Sequence, residues 1–495
     1  MLEMWFEGFL VAISGANLLY LLVGTFFGLI VGALPGLGAN FALALALPMT
    51  FWMEPASAII LMCALHASAT YGGSIASILI NAPGTVGSVA TCWDGHPLAQ
   101  QGKARLALSI AAASSFAGGL IGWIMIIVIT PLLVALALKM GPPEYFMIAL
   151  IALSLLSLAA QGQTVKGLIL GGLGVLISFV GRDPMTGMPR YTFGSLYLED
   201  GIPLIAVAVG LFALSQAFIM AEKGGTIAET YEMKGSMLEG FLYVIKRPLA
   251  IARAAIVGIL MGIIPALGVS TANIVSYFIE KKASKDPEQF GKGHPSGVLA
   301  PEASNNGCIV GELVPTLTLG IPGASPQALL LAALIMHGIQ PGPDYFEKGA
   351  LPYAVFIGVL LAQFAFFIVG TSLAKYFAMV CKIPNAILVS MVTILCFIGA
   401  YAWRHTLIDV GIMIVFALFG YILIRYKWPH ACFILGFVLG KLVESNFHRS
   451  LLMSETYSTF FTRPGSLGMI IFLGLMFFWP LISKTAVRFI RMNGK

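Results

Sequence analysis

The stretch GALPGLGAN at Gly32–Asn40, followed by YGGSIASILINAPGTVGS at Tyr71–Ser88, decides how this chain reads. A second copy of the pattern lies about half a chain later, as GIIPALGVSTAN at Gly262–Asn273 and ELVPTLTLGIPGASPQ at Glu312–Gln327. In both copies Gly and Pro interrupt strongly apolar sequence. Within lipid, an unpaired backbone N–H or C=O is tolerated only where protein or a wet cavity satisfies it. Paired Gly/Pro-interrupted segments in two halves of a membrane protein therefore point to the binding site of a transporter.

Composition agrees. The chain has 495 residues, 58% hydrophobic and only 10% charged, with mean hydropathy +0.92. A soluble domain carries about 25% charged residues, so an all-α integral membrane protein is expected. About ten to fourteen apolar stretches approach the roughly 20 residues of a spanning or re-entrant helix. They are clearest at 106–130, 145–160, 164–181, 203–221, 349–374, 383–401, 405–424, 430–447 and 466–483. A transmembrane β-barrel is not expected, because these runs are continuous and not alternating. Glu3 and Glu7 stand where a signal peptide carries positive charge, so no cleaved signal is expected. The six cysteines are scattered without a C-x-x-C pair and read as packing residues. The net charge of +6 is no nucleic-acid signal, since Lys and Arg sit mainly in short loops.

The two copies align beyond the opening motif. Pro35 matches Pro265, Pro83-Gly84 matches Pro322-Gly323, Pro143 matches Pro384, and Pro203 with Gly210 matches Pro429 with Gly436. This divides the chain into a first repeat (1–221), a linker or surface arm (222–249), a second repeat (250–447), and a terminal helix with a basic tail (448–495). If the tail (Lys484, Arg488, Arg491, Lys495) is cytoplasmic, the inside loops of the second repeat carry more Lys and Arg than the outside ones. Inverting the first repeat gives the same bias, and a parallel arrangement reverses it. Inverted repeats are therefore expected. One conflict remains: 254–279 is long enough for one crossing, yet the loops at 222–253 and 280–297 both look cytoplasmic, so either Pro265 marks a re-entrant tip or one of those loops is outside.

The interrupted regions carry the candidate site. Pro35, Gly36 and Gly38 free backbone groups, and Asn40 offers both a carbonyl and an amide. Ser74 ends the YGGS stretch, which lies in a wholly apolar setting; Asn81, Pro83, Gly84, Thr85 and Ser88 follow. A half-helix starting near Thr85 would aim its N-terminal N–H groups at a carboxylate. The second region supplies Ser270, Thr271 and Asn273, then Asn305, Asn306, Thr318, Pro322, Gly323, Ser325 and Gln327. Half-helix C-termini and unwound carbonyls suit sodium. Substrate contacts are expected from Asn40, Ser74, Asn81, Pro83, Gly84, Thr85, Asn305, Asn306, Pro322, Gly323 and Ser325. Ion coupling is expected from Asn40, Ser270, Thr271, Asn273, Thr318 and Glu312. The competing reading is that Ser, Thr and Asn only glue helices and Gly and Pro only kink them.

An intramembrane carboxylate is a functional candidate by default. Glu312 can bind a proton or sodium; Glu302 and Asp94 fit equally well in wet loops or helix caps. His66 precedes the first motif and either tunes substrate choice or simply packs. Lys441, late in a span, reads as a snorkelling residue. No H-E-x-x-H zinc spacing, no intact G-x-S-x-G elbow and no Walker A motif occur, and no cofactor is expected.

These motifs resemble the large membrane subunit of the tripartite tricarboxylate transporters, the TctA family. The resemblance rests on GALPGLG at Gly32–Gly38, YGGSIASILINAPG at Tyr71–Gly84 and TCWDGHPLAQQG at Thr91–Gly102. It continues with FGKG at Phe290–Gly293, GVLAPEASNN at Gly297–Asn306, LGIPG at Leu319–Gly323 and GIQPGP at Gly338–Pro343. It implies a secondary active importer of organic carboxylates such as citrate and other di- or tricarboxylates, driven by sodium or protons. It also implies a TctB-like small membrane subunit with about four spans and a TctC-like periplasmic solute-binding protein, in the bacterial inner membrane. The interrupted helices are expected to carry cargo across as a unit against a static scaffold, as in an elevator. His66 stands where an aromatic or small residue is expected, and Ala266 replaces the Gly36 of the first copy. Two rival readings are a passive anion channel and an intramembrane hydrolase using Ser74 with His66.

Overall fold

The structure is a computed structural model, and it describes residues 2–160, 163–223, 235–347, 349–380, 383–454 and 456–476. Part of the 222–249 arm, Lys348, Cys381, Lys382 and the basic tail lie outside the described residues. The helices are α1 (Leu2–Ala12), α2 (Gly15–Ala33), α3 (Gly38–Ala46), α4 (Pro55–Ile80), α5 (Val89–Gln100), α6 (Ala104–Ala137), α7 (Pro142–Ala159) and α8 (Thr164–Ser178). Then come α9 (Leu196–Glu199), α10 (Leu204–Ala208), α11 (Ser215–Lys223), α12 (Met237–Ile245), α13 (Pro248–Ile263), α14 (Gly268–Ala283), α15 (Ser296–Leu319) and α16 (Ser325–Met336). These are followed by α17 (Leu351–Val380), α18 (Asn385–Arg404), α19 (Leu407–Arg425), α20 (Ala431–Ser454), α21 (Thr459–Thr462) and a final described helix at Pro464–Met476. A two-residue ladder pairs Gly181 with Arg190.

Among the described residues, seven helices are long and apolar enough to cross a membrane, and six further apolar helices are shorter. The chain is thus an all-α, multi-pass membrane protein. Several of the short helices are the products of the Gly/Pro breaks. The segment 254–279, left open by the sequence, is not one continuous helix. Ile264 is extended and Ala266 has φ 71°, so α13 ends and α14 begins anew at Gly268. The first copy breaks in the same way. Leu34 is extended, Gly36 has φ 82° and Gly38 has φ 71°.

Small residues set how closely the helices approach. A Cβ on Gly24 or Gly28 of α2 would meet the carbonyls of Leu61 or Leu65 on α4 at 2.6 Å, and one on Gly32 would collide with the carbonyl of Ala69. In the second half, Gly258 and Gly262 of α13 lie in the same way on the carbonyls of Ser304 and Cys308 of α15. In lipid, where apolar burial gives helices no driving force, such close backbone contact supplies the association.

The helices form two layers. In one, α2 packs along α4, α13 along α15, and α6 and α17 close the group. In the other, α7 and α8 pack on α20, while α10, a π turn at Val209–Leu214 and α11 pack on α18 and α19. The layers meet along α3, the turn Leu47–Trp52 and α16. A large apolar core including Phe41, Leu43, Val207, Leu211, Met413 and Phe433 fills this seam.

Candidate functional site between two broken helices

Each break is built from a helix that ends in a left-handed residue and a new helix that starts a few residues on. The first long helix, α4, stops at Asn81 with φ 54°; its counterpart α15 stops at Gly320 with φ 68°. After Asn81, Thr85 and Ser88 form a reciprocal capping box, and a short turn at Val86–Ser88 leads into α5. After Gly320, α16 begins at Ser325. The half-helix expected near Thr85 is therefore present.

Each break is gripped by the opposite half of the chain. Asn40 on α3 and Ser325 at the start of α16 exchange hydrogen bonds, Nδ2 to Oγ at 2.9 Å and Oγ to Oδ1 at 3.1 Å. Asn273 on α14 donates to the carbonyl of Gly87 and to that of Val86 at 3.3 Å. Asn305 on α15 donates to the same Gly87 carbonyl at 2.5 Å. The side-chain oxygens of Asn273 and Asn305, both buried, find no donor among the described residues. Such free, buried carbonyl oxygens are suited to a hard cation.

Glu312 sits at the second break. It is wholly buried, its Oε1 lies 3.6 Å from Cys308 Sγ, and Gln327 Nε2 donates to its Oε2 at 3.5 Å. A Cβ on Gly268, at the start of α14, would lie 3.6 Å from Glu312 Oε1. His66 is buried beside it, with Nδ1 3.4 Å from Gln327 Nε2. At the first break, Gly73 leaves room for Thr85, since its Cβ would stand 2.7 Å from Thr85 Oγ1.

The other expected residues divide. Asn81 and Pro83 are exposed on the first break, and Gly84, Pro322 and Gly323 are buried in the turns. A Cβ on Gly84 would collide with the carbonyl of Gly32, and one on Gly323 would stand 2.9 Å from Glu312 Cα. Both glycines are therefore fixed by packing. Ser270 and Thr271 are half-buried on the first turn of α14. Thr318 donates to Val314 O at 2.6 Å within its own helix, and Asn306 donates to Gln363 on α17 at 3.1 Å, away from both breaks. Ser74 donates to Glu302 at 2.6 Å, not to His66, so the Ser74–His66 pair of the hydrolase reading does not form.

Two carboxylates did not reveal their settings in sequence. Glu302 is no loop or cap residue; it is wholly buried in α15. Asp94 is equally buried and organises a turn, accepting from Gly291 N at 2.9 Å, Gly293 N at 2.8 Å, His294 N at 2.7 Å and Tyr277 OH at 2.8 Å. The five described cysteines are free and buried, as expected. Ligand atoms of Asp183, Glu444 and His448 lie within 4.8 Å of one another, but Arg190 sits on both carboxylates, at 3.1 and 2.5 Å, and meets their charge.

Lys441 on α20 is exposed. It lines two cavities in the seam between the layers, of about 750 and 480 Å³, which also share Ile202, Leu204 and Ile335. The larger cavity reaches Leu319 and Gly320 at the second break and carries Arg449 as well. Neither Lys441 nor Arg449 has an ion-pair partner among the described residues.

Apolar spanning helices, paired breaks and a cavity between two layers that carries two cations fit a membrane transport protein. Comparison with known proteins makes this particular: residues 18–435 match the model of the tripartite tricarboxylate transporter TctA family, and the chain belongs to that family. It is the large subunit of a tripartite transporter and not an enzyme. It is 34% identical over 451 residues to the uncharacterized 52.8 kDa protein in the TAR-I ttuC' 3' region of Agrobacterium vitis, covering 90% of this chain and 89% of that one. It is also 34% identical over 220 residues to an uncharacterized protein in the TAR-II ttuC' 3' region of the same organism, covering 44% of this chain and 91% of that one. No solved structure matches.

Proposed function

We propose that this chain is the translocating subunit of a binding-protein-dependent secondary importer of organic di- or tricarboxylates, driven by a sodium or proton gradient. The observation that carries the reading is the large seam cavity, where two unpaired cations, Lys441 and Arg449, face the second break. Both side chains are exposed where they line this cavity, so they are open to pairing with a substrate carboxylate. Import of a multiply charged anion against a negative-inside potential costs about 2.3 kcal/mol per charge per 100 mV. Coupling to cations bound near Asn40, Asn273, Asn305 and Glu312 offsets that cost.

In this reading a periplasmic solute-binding protein delivers the carboxylate, and a small membrane subunit of about four spans accompanies the chain in the bacterial inner membrane, with the C-terminus in the cytoplasm. The layer holding both breaks moves against the layer of α7, α8, α10, α11 and α18–α20. The test is uptake of labelled citrate and a dicarboxylate panel into proteoliposomes containing this chain and its small partner, with the binding protein outside. Accumulation that needs the binding protein and one cation gradient is expected. Flux indifferent to both would establish the passive anion channel instead.

A further inference from the structure

Helix α15 carries two buried carboxylates, and the one not yet given a role is the more completely solvated by protein. Ser74 on α4 donates to Glu302 Oε1 at 2.6 Å, and Thr91 on α5 donates to the same oxygen. Ser115 on α6 donates to Oε2 at 2.8 Å. All four side chains are fully buried. Among the described residues no Lys, Arg or His pairs with Glu302; the other titratable groups facing it are Tyr71 from α4 and Cys92 from α5. A buried carboxylate with no counter-charge carries a large desolvation penalty. Three hydroxyls reduce it without cancelling the charge.

We propose that Glu302, with the hydroxyl oxygens of Ser74, Thr91 and Ser115, forms a binding site for a monovalent cation, proton or sodium, that couples the gradient to transport. The inference rests on the secondary-importer reading above. Hydroxyls suit such a site because each rotates between donating and accepting. Ser115 shows the alternative acceptor directly, since its Oγ also lies 3.4 Å from the backbone carbonyl of Glu302. When a proton binds Glu302 Oε2, the Ser115 hydrogen turns to that carbonyl and its freed lone pair accepts from the new O–H. When sodium binds, the same rotation presents a lone pair to the ion. In both cases one positive charge enters, the carboxylate is neutralised, and no other bond changes.

The placement explains how occupancy reaches the substrate path. Ser74 precedes the first break and Thr91 follows it, so Glu302 holds both arms of that break from the second half of the chain. Asn305, one helical turn further along α15, holds the Gly87 carbonyl inside the break. A charged, empty Glu302 pulls on these arms differently from a neutralised one.

The experiment compares wild type, Glu302→Gln and Ser115→Ala in the full system of large subunit, small subunit and binding protein. Each is measured under a sodium gradient, a proton gradient, and carboxylate exchange at equal ion concentrations. Glu302→Gln is expected to lose gradient-driven accumulation while retaining exchange, which also reports that it folds. Ser115→Ala is expected to raise the half-saturating concentration of the coupling cation about tenfold, the size of one lost hydrogen bond to a charged group. The gradient to which wild type responds identifies the ion. Accumulation by Glu302→Gln at the wild-type ratio overturns the assignment, as does an unchanged cation dependence in Ser115→Ala. If wild type itself exchanges substrate but accumulates it under neither gradient, the importer reading falls, and this inference with it.

Discussion

Ala266 and Gly36 hold equivalent places in the two breaks, and both have positive φ, 71° and 82°. An L-residue in this region costs about 1–2 kcal/mol. A Cβ on Gly36 would have its nearest neighbour, Gln216 Nε2, 3.7 Å away, so space is not the constraint. Gly36→Ala should therefore destabilise the purified protein by about 1 kcal/mol through its dihedral alone, read as a lower unfolding midpoint in detergent. Ala266→Gly should be close to neutral, because relief of strain is offset by lost methyl burial and a freer unfolded chain. A second residue-scale expectation concerns Lys441. If it meets a substrate carboxylate, Lys441→Gln should raise the KM for uptake about tenfold or more, since a charged hydrogen bond contributes about 1.5–3 kcal/mol. Lys441→Arg should restore most of it. A KM unchanged by Lys441→Gln would remove this residue from the substrate path.

At the scale of elements, the break at Asn81–Ser88 depends on the start of the helix that follows. Ser88 Oγ donates to Thr85 O at 2.9 Å, and the Thr85 side chain caps the turn. Thr85→Val keeps the shape beside Gly73 and removes the cap, at a cost of about 1 kcal/mol. Slower uptake with little change in expression is the expected outcome. The turn after α14 depends on Asp94 instead. Asp94→Asn keeps one oxygen for the three backbone donors but removes the charge that strengthens those bonds, so residues 290–294 should exchange amide hydrogen faster and be cleaved more readily by protease. Protection equal to wild type would mean that the turn is held by its other contacts, such as the stacking of Phe290 on His294.

At the scale of the whole molecule, the proposed transport mechanism requires the seam between the layers to open or slide. Leu204 on α10 and Ile335 on α16 line both seam cavities from opposite layers. Cysteines at these two positions joined by a flexible bis-maleimide should abolish uptake, while either single cysteine should not. Transport surviving the cross-link would show that the layers move as one body. The breaks themselves were legible in the sequence, because Pro and Gly inside apolar runs have few other uses in lipid. The partners of Asn40, Asn273 and Asn305 were not legible, because each bond joins residues far apart in the chain. The setting of Glu302 was not legible for a related reason: whether a charge faces a wet loop, lipid or a buried cluster of hydroxyls is a property of its neighbours.

By itself, the sequence determined that this is a helical membrane protein with two matched pairs of interrupted helices, and the family motifs determined what kind. Those conclusions follow from local chemistry: hydrophobic length, helix-breaking residues and their order along the chain. Only the tertiary structure decided that each break is held by the other half, that α15 brings one carboxylate to each break, and that an unpaired lysine stands in the seam. The physical reason is that burial and hydrogen-bond partnership are set by which helices pack together, and small residues such as Gly28 and Gly258 permit a close approach without specifying what it brings into contact.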